Sequence, residues 1–160
     1  MDIFTVSLFG HRKIDDLRKV NDRLTPIIKK LIKTKPYVAF LIGRNGEFDE
    51  YAASVIKFVQ RELGKENNDI TLVLPYTVSD IEYYEKYYDG IIIPEELYGV
   101  HPKSAITLRN QWMIERSDLV IAYAEHKKSG AYTAMKYAEK LNKGVISLHE
   151  CDFSDQSFTL

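Results

Sequence analysis

Four short stretches of this 160-residue chain carry side chains suited to holding phosphate, sugar and base: "GHR" (Gly10, His11, Arg12), "GRNGEFD" (Gly43 to Asp49), "RN" (Arg109, Asn110) and "SGAYT" (Ser129 to Thr133). Glycine lets the backbone approach a ligand closely, an arginine fork meets phosphate or carboxylate at two points, and an imidazole donates or accepts near neutral pH. Each stretch alone is a weak signal, because ordinary turns use the same residue types.

In the first stretch Gly10 permits a tight turn, and His11 and Arg12 face either a ligand or solvent. In the second, Gly43 and Gly46 open the turn, Arg44 brings positive charge, and Glu47 or Asp49 supplies an acceptor for a ribose hydroxyl or a base edge. A helix cap is at least as good a reading of Asp49, since a carboxylate is favoured at the positive end of the helix dipole. For Glu47 the ligand role is the stronger reading. Cleavage of an N-glycosidic bond needs a carboxylate, which makes Glu47 and Asp49 the candidate catalytic groups if the protein is an enzyme.

Arg109 and Asn110 lie one turn from Ile106 and Met113, on or beside an apolar helix face. That position is costly without partners, so they meet either a ligand or a buried counter-ion. Ser129 and Thr133 place hydroxyls around Gly130 at a helix start, where unpaired amides attract an anion. Capping by Ser129 and anion binding can share that turn.

Other chemistries are poorly supported. His11, His101, His126 and His149 are scattered, and Cys151 is the one cysteine, so no zinc spacing appears and no metal is expected. There is no GxSxG elbow and no P-loop. "GRNG" lies on the second βα unit and lacks the GxGxxG pattern, which disfavours a conventional NAD site; no cofactor is expected.

The elements that must position these residues follow from the apolar pattern. Strand-length runs alternate with segments of helical spacing, the mark of βαβ units around a mainly parallel sheet. The expected class is α/β, Rossmann-like, with helices flanking the sheet in a single domain over 1–150 and a peripheral tail over 151–160. Strands are expected at Ile3 to Phe9, Tyr37 to Ile42, Ile70 to Leu74, Leu119 to Ala124 and Val145 to Leu148.

Between them, helical stripes run from Leu17 to Leu31, from Phe48 to Leu63 and from Ala131 to Leu141, with another in "AITLRNQWMIER" capped by Ser104. The segment from Tyr76 to Val100 reads least clearly: "DIEYYEKYYDG" is rich in tyrosine and acid, and "GIIIPEELYG" suggests a short strand and a turn. Its tyrosines pack their rings and keep their hydroxyls wet, or they form a pocket wall or a homodimer contact. In an open parallel sheet, ligands bind beyond the carboxyl ends of the strands, where three of the four stretches fall.

Charge is nearly balanced, with 22 basic and 23 acidic residues, which gives no footprint for nucleic acid or anionic lipid. The apolar runs fall short of the roughly 20 residues a membrane span needs. Together with the lone cysteine, this leads to the expectation of an unexported, cytoplasmic protein.

The combination "SLFGHR", "GRNGEFDEYAA", "ITLVLPY" and "RNQWMIERSDLVIAYAEHKKSGAYTAMKYA" resembles the SLOG superfamily, and within it small bacterial and phage proteins of the YpsA-like and YoqJ-like kind. The resemblance runs from Val6 to about Leu148. It implies a Rossmann-like fold with a nucleotide or nucleotide-derived ligand over the strand ends, in a signalling or phage-defence setting; the superfamily includes LOG phosphoribohydrolases and the single-stranded-DNA-binding protein DprA. LOG enzymes carry "GGxGT" followed by a catalytic glutamate. Here Ser129, Gly130 and Thr133 match parts of that motif, Tyr132 replaces a glycine, and Lys136 stands where the glutamate would lie. A lysine has the wrong charge for that part, and its simplest reading is an unpaired residue on a wet helix face. Ligand binding is therefore the leading expectation, ahead of N-glycosidase activity, and single-stranded DNA binding is third because no basic stripe interleaved with aromatics is visible.

Overall fold

A computed structural model describes residues 2–150; the expected tail over 151–160 lies outside the described residues. The strands are β1 (Ile3–Gly10), β2 (Tyr37–Ile42), β3 (Asn68–Val73), β4 (Gly90–Ile92), β5 (Leu119–Tyr123) and β6 (Gly144–Ser147). The helices are α1 (Leu17–Thr34), α2 (Glu47–Leu63), α3 (Ile81–Tyr87), α4 (Pro102–Glu115) and α5 (Gly130–Lys140), with a short 3₁₀ turn at Glu95–Leu97. All strand pairings are parallel, in the order β4-β3-β2-β1-β5-β6. The fold is Rossmann-like α/β.

Alternation along β1 shows how the sheet is covered. Val6 and Leu8 point into a core shared with α1 and α2, where Val20, Leu24, Ile28, Phe48, Ala52 and Ile56 are buried. Phe9 points to the opposite face and packs with Met113 and Ile114 of α4 and Ala131, Ala134 and Met135 of α5. The small alanines of α5 allow that helix to lie close to the sheet. On the same face the Ser7 hydroxyl meets Ser117 Oγ at 2.6 Å, and Ser117 Oγ donates to the Met113 carbonyl at 2.8 Å, so these buried polar groups are partnered under α4.

The first three crossovers step outward from β1 in one direction, and the chain then returns past β1 to place β5 on its other side. Adjacent strands β1 and β5 therefore send their connections to opposite faces. A crevice opens between such connections, beyond the carboxyl ends of the strands.

One local expectation is corrected. The helix expected to be capped by Ser104 begins at Pro102, and its cap is His101, whose imidazole accepts from the Lys103 amide at 3.2 Å. Proline at the first helical position has the right φ and lacks an amide that would have no partner there. The obscure tyrosine-rich segment forms α3, which buries none of its residues. Rings of Tyr83 and Tyr84, and of Tyr87 and Tyr88, pack edge to face. Among the described residues no helix is long and apolar enough to cross a membrane.

Candidate functional site

A cleft of about 340 Å³ lies in that crevice, bounded by the ends of β1 and β2, the starts of α2 and α5 and the middle of α4. Gly10, His11 and Arg12 enter it from β1, and Gly43, Asn45 and Asp49 from the β2–α2 turn. Arg109 and Asn110 come from α4, and Ser129 and Gly130 from the start of α5. Leu8, Phe9, Ile106 and Ala131 supply its apolar surface.

The α5 side is a capped helix start. Ser129 Oγ accepts from the Tyr132 amide at 3.1 Å and donates to the His126 carbonyl at 2.7 Å. The first amides of a helix have no acceptor within it, and here they follow a glycine with open space where a β-carbon would stand. Ser129 thus caps a turn that also lines the cleft. Thr133, also expected to bind, donates instead to the Ser129 carbonyl at 3.2 Å and lines a smaller groove between α4 and α5.

The opposite side holds a buried cation and an acid. Arg109 is 3 % exposed; its Nη1 donates to the Val73 carbonyl at 2.9 Å and its Nε to Asn110 Oδ1 at 2.9 Å. Asp49 Oδ2 accepts from the Asn45 amide at 3.0 Å, so this residue does steady the start of α2 as well as face the cleft. Burial pushes the Asp49 carboxyl up to about 6, with the Arg109 charge and the Asn45 amide opposing the rise. Burial likewise lowers the Arg109 pKa, opposed by Asp49.

The two candidate carboxylates have different surroundings. Glu47 stands outside the cleft: its Oε2 accepts from the Ile14 amide at 2.8 Å, while its own amide donates to the Arg12 carbonyl at 2.8 Å. With the Phe48 amide donating to the His11 carbonyl at 3.3 Å, the start of α2 clasps the β1–α1 loop. Gly46 permits this clasp, because a β-carbon there would stand 2.4 Å from the Arg12 Cα. Arg44 also turns away, its guanidinium 5.6 Å from the Tyr84 ring centroid and its Nη1 3.4 Å from the Tyr84 hydroxyl.

His11 is 8 % exposed and joins the two sides of the crevice. Its Nε2 accepts from the amides of Glu125 at 2.7 Å and His126 at 3.2 Å, in the loop that leads to Ser129. An imidazole nitrogen that accepts carries no proton, so His11 is neutral with its proton on Nδ1. Burial pushes its pKa below the usual histidine value, and the neighbouring His126 acts in the same direction.

Asn45 is a further cleft residue; its Nδ2 is buried and bonds no group among the described residues. In "GRNG" the asparagine stands among glycines and a charge, and residue type alone does not distinguish a cleft amide from an ordinary turn asparagine. Lys136 is corrected too: its Nζ pairs with Glu139 Oε2 at 3.2 Å on the outer face of α5.

No protein-family model matches the sequence, and no curated protein does. Solved structures do share its fold. DNA processing protein A (DprA) of Streptococcus pneumoniae aligns with a TM-score of 0.65 at 15 % identity, over 91 % of this chain and 50 % of that one. DNA processing protein A of Helicobacter pylori, described for its single-stranded DNA binding mode, aligns at 0.60 and 18 % identity over 96 % and 70 %. The molybdenum cofactor carrier protein of Chlamydomonas reinhardtii aligns at 0.55 and 16 % identity over 90 % and 75 %. The chain spans half the length of the pneumococcal protein it resembles. At these identities the likeness is one of architecture, and it places the chain among Rossmann-like α/β domains that include DNA processing protein A.

Proposed function

We propose that this protein binds a nucleotide or nucleotide-derived ligand in the cleft, as a member of the SLOG superfamily. The observation that carries the reading is the convergence of the open α5 start at Ser129 and Gly130 with Arg12, Arg109 and Asp49 around one cleft. Helix amides and dipole favour a phosphate at α5, and Arg12, exposed on the cleft rim, balances its charge. Asp49, Asn45 and Asn110 offer the donors and acceptors that a ribose or a base edge requires. The motif order read from the sequence and the fold shared with DNA processing protein A support the superfamily assignment.

Calorimetry with nucleoside mono- and diphosphates, ADP-ribose and cyclic ADP-ribose derivatives tests this. Saturable binding that Ser129→Ala and Arg12→Ala weaken is the expected result; folded protein that binds none of them refutes it.

A second reading is hydrolysis of a nucleotide N-glycosidic bond, and one observation favours it: Asp49 faces the cleft with its carboxyl raised to about 6. A carboxyl tuned towards neutrality suits proton transfer at working pH. Glu47, the other candidate, is engaged by the Ile14 amide. Asp49 would activate water, and Arg109 would steady the charge that develops on the leaving side. Release of free base by the wild type and not by Asp49→Asn identifies the enzyme; binding without release leaves the ligand-binding reading.

A further inference from the structure

We propose that His11 is a positioning residue that acts through the protein: its neutral imidazole, accepting from the Glu125 and His126 amides, holds the β5–α5 loop in the form that presents the α5 start to the ligand. The inference rests on the nucleotide-binding reading of the cleft and specifies how that site is regulated. It follows from three observations. Nε2 bonds two successive amides at 2.7 and 3.2 Å, across 114 and 115 residues of chain. The same loop closes on itself at Ser129, whose amide and hydroxyl both donate to the His126 carbonyl, at 3.1 and 2.7 Å. On its other side the His11 carbonyl accepts from Phe48, so the residue is anchored to α2 while it holds the approach to α5.

A proton on Nε2 converts the acceptor into a donor aimed at two donors, and both bonds are lost. The groups around His11 resist that proton. From the β5–α5 loop, His126 lies 4.8 Å away centroid to centroid and Glu125 provides the opposing negative charge. From β5, Tyr123 meets the ring edge to face at 5.9 Å; beyond β6, His149 adds positive charge. Burial works in the same direction as the two histidines, and Glu125 works against it. The loop is therefore set at neutral pH and released in acid.

The test uses ADP-ribose, whose pyrophosphate does not change charge between pH 5 and 8, and compares wild type with His11→Gln, which keeps an acceptor and cannot titrate. In the wild type the Kd rises by up to about tenfold per pH unit below the His11 titration point. In His11→Gln the rise attributable to this residue disappears, while any contribution from Asp49 remains in both proteins. Equal pH slopes in the two proteins overturn the proposal, as does wild-type binding that tightens in acid, which would mean that protonated His11 grips the anion directly. NMR on the free wild type gives a reading independent of any ligand and of the variant's folding. The Glu125 and His126 amides are expected to lose exchange protection, beyond the intrinsic pH effect, as the His11 ring titrates. Protection that persists through that titration overturns the proposal even if nucleotides bind. Absence of ADP-ribose binding with the amide effect present counts against the nucleotide reading alone.

Discussion

The guanidinium of Arg109 lies flat against Gly43: a β-carbon on that glycine would stand 2.9 Å from Nη1 and 3.1 Å from Cζ. The same Nη1 is committed to the Val73 carbonyl at 2.9 Å, so the arginine has little room to retreat. This contact sets the position of the buried cation relative to Asp49 and fixes one wall of the cleft.

Gly43→Ala is accordingly expected to displace Arg109 from Val73. Overpacking of this kind costs about 1–3 kcal/mol, to be read from urea denaturation. Loss of a charge-assisted contact to ligand costs a further 1.5–3 kcal/mol or so, roughly a tenfold to hundredfold rise in Kd. A variant that is destabilised but binds with unchanged affinity would show that Arg109 shapes the cleft without touching the ligand.

Gly46→Ala and Gly130→Ala should differ in sign. At Gly46 the new methyl meets the Arg12 backbone at 2.4 Å, which must open the clasp between α2 and the β1–α1 loop, with a stability loss of about 1–3 kcal/mol. At Gly130 the methyl meets nothing within 4 Å, and alanine favours helix by up to about 1 kcal/mol. Paired melting curves check the contrast. A Gly130→Ala protein that is at least as stable as wild type yet binds nucleotide less tightly would locate the ligand at this turn.

Asp49→Asn is expected to raise stability at pH 7.5 while weakening binding. Burial lifts the folded pKa of Asp49 from 3.8 to about 6, so between those values the folded state holds more protons than the unfolded one and stability falls as pH rises. Above pH 6 the full penalty is present, on the order of 3 kcal/mol, and the neutral asparagine escapes it. Denaturation of both proteins at pH 4 and pH 7.5 tests this: the gain should be confined to the higher pH.

Asp89 should behave in the opposite way. Its carboxylate accepts from the Ile70 amide at 2.9 Å and from Gln60 at 3.3 Å and pairs with Lys65, tying β3 to the approach to β4. Burial would raise its pKa, but these bonds outweigh burial and the net shift is downward. Its stabilising contribution is therefore complete above the ordinary carboxylate value of 3.8 and is lost as pH falls through the folded value. Asp89→Ala is expected to cost about 1–2 kcal/mol at pH 7, with a smaller difference in acid.

The central scaffold was legible in the sequence because a parallel sheet buried on both faces demands continuous apolar runs. Tyr37–Ile42 was delimited to the residue, helped by Pro36 after α1, and Ser129 was recognisable as a cap. What escaped lacks such a stripe. In α3 no residue is buried, so no helical period marks it; α4 is legible as a helix, and only its start escaped, because His101 and Pro102 lie ahead of the apolar pattern. The site was legible as a set of turns and not as a geometry. Glu47 and Asp49 lie two residues apart in one turn, yet one clasps the Ile14 amide and the other faces Arg109, a separation of roles that depends on where α2 meets the β1–α1 loop.

The sheet ends at β4, which pairs with β3 through only three residues, Gly90 to Ile92. A strand so short presents few unpaired backbone groups for another chain to extend. Fibrous, strand-by-strand growth from this margin is thereby discouraged.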